Sequence, residues 1–243
     1  MPGLVLTELL KLRVTRSTWG LLLAALVLAA LRTAGVLLSV GTAAGVRRGS
    51  AEATLTLAGA PVVGVLVLLV LAITSVTSEF RHGTLTGSVL LVPDRRRLVV
   101  AKCVTLSLVG IGAGMALLAV GLTVALATGI GGAISARDAL VLLAGVVVVG
   151  AFWTWMGVGI GLLVNNQTIA VLVPFVWLVV VEPLVGSSGL TALVRWLPGS
   201  LPGQVLPESP GGPGPVLAVV LLVVYGLALS VPGAVRLRRR DLT

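Results

Sequence analysis

The sequence predicts an all-α integral membrane protein, and three observations lead to that fold class. Hydrophobic residues make up 57% of the 243 residues, and the mean hydropathy is +1.15, well above the range of soluble domains. Six apolar runs are long enough for a helix to cross a hydrocarbon core, which takes about 20 residues. The runs are continuous rather than alternating, which excludes the strands of a membrane barrel. These spans leave no room for a soluble catalytic domain.

The N-terminal residues are predicted to form a short amphipathic helix on the inner membrane surface. Apolar and charged residues are interspersed in this stretch: Leu4, Leu6, Leu9, Leu10 and Leu12 with Glu8, Lys11 and Arg13.

Six membrane spans follow, at about 18–41, 55–78, 99–128, 139–164, 168–186 and 215–234. Pro61 and Pro174 are expected to kink the second and fifth spans, because proline lacks the N–H that a helix uses. Glycine spacings of the G-x-x-x-G type in the third and fourth spans favour close helix packing, although a substrate-lining groove is the alternative. These glycines are Gly110, Gly112, Gly114, Gly157, Gly159 and Gly161.

The segment 187–214, before the last span, is rich in proline and glycine. Within it, 190–197 is predicted to form a short amphipathic helix that ends at Pro198. Trp196 suits the membrane–water interface. We therefore expect an extracellular segment that lies on the outer face or re-enters it.

The basic residues predict the orientation. With six spans both termini share one side, and placing them inside puts most of the lysines and arginines there, as the positive-inside rule requires. The inner set is Lys11, Arg13, Arg16, Arg81, Arg95, Arg96, Arg97, Lys102, Arg236, Arg238, Arg239 and Arg240, and the outer set is Arg47, Arg48, Arg137 and Arg195. This distribution also explains the net charge of +9 without any binding of nucleic acid, since no aromatic residues are interleaved with the charges.

Several kinds of chemistry have no support in the sequence. Cys103 and His82 are the only residues of their types, so no disulfide, cysteine-based metal site or nucleophile triad is predicted. A phosphate-binding loop requires Gly-Lys-Ser/Thr, but the two lysines, Lys11 and Lys102, follow Leu10 and Ala101. The chain is thus predicted to carry no catalytic, cofactor-binding or metal-binding residue.

Two charged residues are predicted inside the spans. Arg32 and Glu182 lie at a similar depth, about 22 Å from the inner surface at a rise of about 1.5 Å per residue. A lone charge there is costly, so the two are candidates for an intramembrane charge pair, within one chain or between copies. The alternative is that Arg32 extends outward and Glu182 caps the helix that Pro183 interrupts.

The charged stretch between the second and third spans carries the strongest motif. It reads S-E-F-R-H-G-T-L at 78–85 and V-P-D-R-R-R at 92–97, followed by Lys102. Later stretches read G-I-G-L-L-V-N-N-Q-T-I-A at 159–170, V-W-L-V-V-V-E-P-L at 176–184 and W-L-P-G at 196–199. With these motifs the whole chain resembles the permease subunits of type-2 ABC exporters, particularly the short six-helix permeases of actinobacteria.

The resemblance implies a single permease domain over 1–243, in a bacterial plasma membrane with both termini cytoplasmic. Two permease copies, identical or related, would form the translocation path, and separate ABC ATPase subunits would bind ATP-Mg. The cytosolic loop 79–98 would contact the ATPase, with a coupling helix at about 84–92. The implied coupling residues are Glu79, Arg81, Thr84, Leu85, Val89, Leu90, Pro93, Arg95 and Arg96. Glu79 is expected to pair with Arg81 or with the arginines at 95–97.

Other functions remain open from the sequence. One is a non-transporting membrane partner, such as an immunity or signalling subunit; another is an ion-coupled secondary transporter, although the halves of the chain do not match. The transported substrate is not predicted. Trp153, Trp155 and Trp177 lie away from the usual interfacial belt, and they either pack against neighbouring helices or line a path for an amphipathic substrate.

Overall fold

A computed structural model describes residues 2–42, 47–81, 95–164, 166–205 and 214–239. These residues form helices and short connections, with no strand among them. Six of the helices are long and apolar enough to cross a membrane. The prediction of an all-α integral membrane protein is therefore confirmed.

We label the helices in chain order, and six of them, α2 to α6 and α9, are the candidate spans. The helices are α1 (Pro2–Val14), α2 (Arg16–Ser39), α3 (Ala51–Arg81), α4 (Arg95–Thr128), α5 (Ala136–Leu163), α6 (Gln167–Ser187), α7 (Thr191–Val194), α8 (Leu201–Val205) and α9 (Pro215–Arg239).

Polar side chains cap the starts of three spans. The hydroxyl of Ser50 accepts a hydrogen bond from the backbone of Ala53, and Ser135 caps α5 in the same way. The amide oxygen of Asn166 accepts two backbone hydrogen bonds at the start of α6. Each cap satisfies a backbone N–H that has no partner within its helix. The caps explain why α3 and α5 begin at Ala51 and Ala136, a few residues before the predicted starts of their spans.

Two spans contain irregular turns near their prolines. Within α3 the stretch Ala60–Leu66 is a 3₁₀ helix that includes Pro61. Within α6 a π-helical turn, Trp177–Val181, lies between Pro174 and Pro183. The irregular turns lie beside prolines, which remove a backbone donor, while the kinks predicted at Pro61 and Pro174 stay predictions.

Glycines allow the central helices to approach closely. A Cβ atom at Gly150 of α5 would lie 2.6 Å from the carbonyl oxygen of Gly110 on α4. A Cβ atom at Gly157 would lie 2.6 Å from the carbonyl oxygen of Leu69 on α3, and one at Gly159 would lie 2.8 Å from the backbone of α9. Small residues are what such helix–helix contacts require in a membrane.

The helix α3 lies at the centre of the bundle, and α2 and α6 lie at its edge. The buried share of the apolar stretch is 72% in α3, against 22% in α2 and 17% in α6. The large apolar side chains of α2 and α6 therefore face outward, where lipid or another membrane protein must cover them.

The segment after α6 turns back towards the bundle. Short helices α7 and α8 are followed by α9, and the side chains of Leu201 and Val205 on α8 belong to the main hydrophobic core. The described part of this segment thus re-enters the bundle, one of the two arrangements that the sequence predicts.

Candidate functional site

Four charged side chains form a buried cluster at one end of the bundle. The Nζ atom of Lys102 on α4 lies 2.6 Å from Oε2 of Glu8 on α1 and 2.7 Å from Oε1 of Glu79 on α3. The Nζ atom of Lys11 on α1 lies 2.6 Å from Oε1 of Glu8 and 3.1 Å from Oε1 of Glu79. We call these four residues the ion-pair cluster. It connects α1 to the two consecutive helices α3 and α4.

Burial makes this cluster unusual. The side chains of Lys102, Glu8 and Glu79 are only 3%, 8% and 10% exposed, whereas that of Lys11 is 48% exposed. Two lysines and two glutamates leave no net charge. Buried charges persist only when each is paired and hydrogen-bonded, so the three buried members depend on one another.

The charge of two members is stabilised by their neighbours. Burial alone would raise the pKa of Glu8, but the ammonium groups of Lys102 and Lys11 outweigh it and hold the pKa below its ordinary 4.5. Burial would lower the pKa of Lys11, but the carboxylates of Glu8 and Glu79 outweigh it and hold the pKa above its ordinary 10.5.

These shifts define a pH window for the stabilisation. The contribution of Glu8 is present above pH 4.5 and is lost as pH falls through its lowered pKa. The contribution of Lys11 is present below pH 10.5 and is lost as pH rises through its raised pKa. Both side chains therefore stay charged at physiological pH.

The helix α1 is positioned by its charged face. Glu8 and Leu12, one turn apart, are buried, while Leu6, Leu10 and Val14 are exposed. The hydroxyl of Thr105 on α4 also donates to the carbonyl oxygen of Val5, at 3.4 Å. The face of α1 that meets the bundle thus carries a carboxylate, and its apolar face is left for the membrane surface.

The sequence predicts only part of this cluster. Glu79 is among the predicted coupling residues, but with arginines as expected partners, and its described ion pairs are with Lys11 and Lys102. Nothing in the sequence pairs Glu8 with Lys102, which are 94 positions apart. A usable signal is that the chain contains only two lysines, and both are in the cluster.

The other predicted coupling residues surround the cluster or lie outside the described part. Arg81 is exposed at the end of α3, two residues after Glu79. Thr84, Leu85, Val89, Leu90 and Pro93 fall in 82–94, outside the described residues, and Arg95 and Arg96 begin α4 without described side chains. The cluster nevertheless joins the two helices between which this loop runs.

Glu182 is buried near the other end of the bundle. Its Oε1 atom accepts hydrogen bonds from the indole N–H of Trp177, at 2.8 Å, and from the backbone N–H of Gly199, at 3.0 Å. The second bond attaches the re-entrant segment to α6. Gly199 also approaches so closely that a Cβ atom there would collide with the carboxylate.

Arg32 does not pair with Glu182 in the described part of a single chain. It is exposed on α2 and lines a cavity of about 280 Å³ with Trp153, Gly199 and other residues of α3, α5 and α8. A charge pair between two copies therefore remains a proposal.

The three predicted tryptophans have different surroundings. Trp153 is buried beside Phe152, with ring centroids 5.0 Å apart, and also lines the cavity next to Arg32. Trp155 lies against α9, where a Cβ atom at Gly226 would be 3.3 Å from its ring. Trp177 lines an apolar cavity of about 380 Å³ between α5, α6 and α9.

The sequence matches the family model described as ABC-2 family transporter protein over residues 4–183, most of the chain. The match includes all four residues of the ion-pair cluster, the loop between α3 and α4, and Glu182. No curated protein matches the sequence.

Proposed function

The chain belongs to the ABC-2 family of transporter proteins, and from this premise we propose that it is the permease subunit of an ATP-driven exporter. Its role as a multi-pass transport permease follows from the family and the six apolar helices. Export as the direction, the coupling to ATP and the assembly are our proposals, as is the assignment of 1–243 to one permease domain.

ATP hydrolysis is assigned to a separate ABC ATPase. The sequence contains no Gly-Lys-Ser/Thr loop for phosphates. Its two lysines bind carboxylates in the ion-pair cluster instead. We therefore place ATP-Mg in the partner subunit, and the permease supplies the membrane path.

The ion-pair cluster is the observation that carries the coupling proposal. Glu79 lies near the end of α3, just before residues 82–94 of the loop. Lys102 lies on α4, just after them. Lys102 binds Glu8 directly, and Lys11 of α1 binds Glu79, so α1 is held to both helices. A force that an ATPase exerts on the loop would then move α1, α3 and α4 together.

The movement would reach α2, at the edge of the bundle, through α1. Only Thr15 separates α1 from α2. Nucleotide binding would favour one arrangement of the spans over another, which is a shift between two states with different affinities for ATP.

A second permease copy is proposed to cover the outward faces of α2 and α6. These are the least buried spans, and Arg32 lies exposed on α2. The translocation path would run between the copies, with the exposed Trp177 of α6 as the candidate lining residue, whereas Trp153 and Trp155 pack within one chain. Arg32 of one copy would then approach Glu182 of the other.

The assembly is placed in a bacterial plasma membrane, with both termini cytoplasmic because the basic residues gather at that end.

Purification and reconstitution test the proposal. We expect the tagged protein, isolated from its native membrane in mild detergent, to bring down a subunit with a phosphate-binding loop. Proteoliposomes that contain both should transport only with hydrolysable ATP. The matched control contains the permease alone and should be inactive.

Two outcomes favour the other functions. Transport by the permease alone, driven by an ion gradient, would indicate a secondary carrier. A stable complex whose ATP turnover is never accompanied by transport would indicate a signalling or immunity subunit.

A further inference from the structure

A polar cavity lies beside the ion-pair cluster. It has a volume of about 470 Å³ and lies between the α1–α2 junction, the end of α3 and the start of α6. Most of the residues that line it are of polar or charged types, among them Thr15, Thr18, Thr74, Glu79, Arg81 and Gln167.

Three residues that line this cavity each carry a buried oxygen without a hydrogen-bond partner. Across the described part of the chain, the buried side-chain atoms without a partner are Oγ1 of Thr18, Oε2 of Glu79 and Oε1 of Gln167. All three residues line this one cavity. An unsatisfied buried polar atom is costly, so their convergence indicates a site for a polar ligand.

The ligand must supply hydrogen-bond donors. A carboxylate and an amide oxygen only accept, and two further hydroxyls in the lining are already used as donors. Thr15 donates to the carbonyl oxygen of Lys11 at 2.7 Å, and Thr74 to that of Leu71 at 3.1 Å. Their oxygens remain available as acceptors. A cation or hydroxyl group fits this cavity better than a bare anion.

An apolar groove continues from the cavity. It has a volume of about 490 Å³, shares Thr74, Arg81 and Gln167 with the polar cavity, and runs between α3 and α6. Its remaining lining is mainly apolar, namely Val70, Thr168, Val171, Leu172 and Phe175. A donor-bearing head beside an apolar tail has the form of a membrane lipid rather than of a free solute.

The position along the spans also favours a lipid. Thr18 lies near the start of α2, Gln167 begins α6 and Arg81 ends α3. The cavity is therefore at the membrane boundary, at the level of the lipid headgroups. The guanidinium of Arg81, shared by cavity and groove, is placed to attract a phosphate.

We propose that the cavity and groove bind one glycerophospholipid whose headgroup carries N–H or O–H donors, such as ethanolamine or glycerol. The donors would reach the oxygens of Glu79, Thr18 and Gln167, the phosphate would lie near Arg81, and one acyl chain would occupy the groove. A choline headgroup has no donor and would leave these oxygens unsatisfied. This binding needs no ATP and is independent of the proposed transport function.

Native mass spectrometry of the purified full-length protein tests the proposal. The protein is exposed to equal amounts of phosphatidylethanolamine, phosphatidylglycerol and phosphatidylcholine. We expect the first two to be retained about tenfold over the third, because only they can donate hydrogen bonds to the buried oxygens. Thr18→Val and Gln167→Leu lie outside the ion-pair cluster and should each reduce this preference severalfold. Thr123→Val, an exposed position on α4, is the matched control and should not.

Three results would overturn the proposal. One is equal retention of phosphatidylcholine, and another is an unchanged preference in both cavity variants. The third is binding of glycerophosphoethanolamine, which lacks acyl chains, as tight as that of the intact lipid, because the groove would then contribute nothing.

Discussion

Lys102→Met is expected to lower the melting temperature of the protein strongly and to reduce the yield of folded permease. The substitution leaves Glu8 and Glu79 buried without the ammonium group that lies 2.6 and 2.7 Å from them. Removing one partner of a buried ion pair typically costs about 3–5 kcal/mol. The measurement is the melting temperature of the detergent-solubilised protein, together with its yield by size-exclusion chromatography.

Lys11→Met provides a matched control for this experiment. Lys11 binds the same two carboxylates, but its side chain is 48% exposed, so water can replace it and the loss should be much smaller. Glu8→Met combined with Lys102→Met should be less harmful than the sum of the single changes, because it removes both members of one pair. Equal effects of the two single lysine substitutions would contradict the assignment of Lys102 as the central cation.

Gly110→Val is expected to have the second largest effect, by separating α4 from α5. A side chain at Gly110 would collide with the backbone of Gly150, and backbone cannot move aside as a flexible side chain can. Overpacking of this kind costs at least about 1–3 kcal/mol. The expected result is a lower melting temperature and increased aggregation.

Gly112→Val is the matched control for the glycine contact. It makes the same change two residues away on the same helix, where a Cβ atom would have nothing within 4 Å. The protein should tolerate it. If both variants melt like the wild type, the close approach of α4 and α5 is not needed for stability.

The apolar runs predict the spans because length and hydrophobicity alone determine whether a helix can cross a membrane. The glycine spacings likewise predict close packing at Gly157 and Gly161, which meet α3, but they do not distinguish these from Gly112, where an added Cβ atom would meet no neighbouring helix within 4 Å. Spacing identifies a small-residue face, and only the assembled bundle shows which glycines meet a neighbour.

The ion-pair cluster lies beyond what the sequence can predict. In the sequence, Glu8 looks like a charged residue on a surface helix. It is buried because α4 packs against α1 and brings Lys102, 94 positions away, into contact with it. Glu182 is a related case. Its burial near a span end is predictable, but its partners include a backbone N–H of Gly199, which is contributed by the re-entrant segment and has no side-chain signature.

The most direct test of the coupling proposal is ATP turnover by the complex that contains Glu79→Gln. Glutamine has the same shape but no charge, so the complex should still assemble, while α3 is held less firmly to Lys11 and Lys102. Glu52→Gln, an exposed change at the opposite end of the same helix, is the control. We predict that substrate-stimulated ATP hydrolysis falls severalfold in Glu79→Gln and is unchanged in Glu52→Gln. Normal stimulation in an assembled Glu79→Gln complex would contradict the claim that the ion-pair cluster transmits motion between the ATPase and the spans.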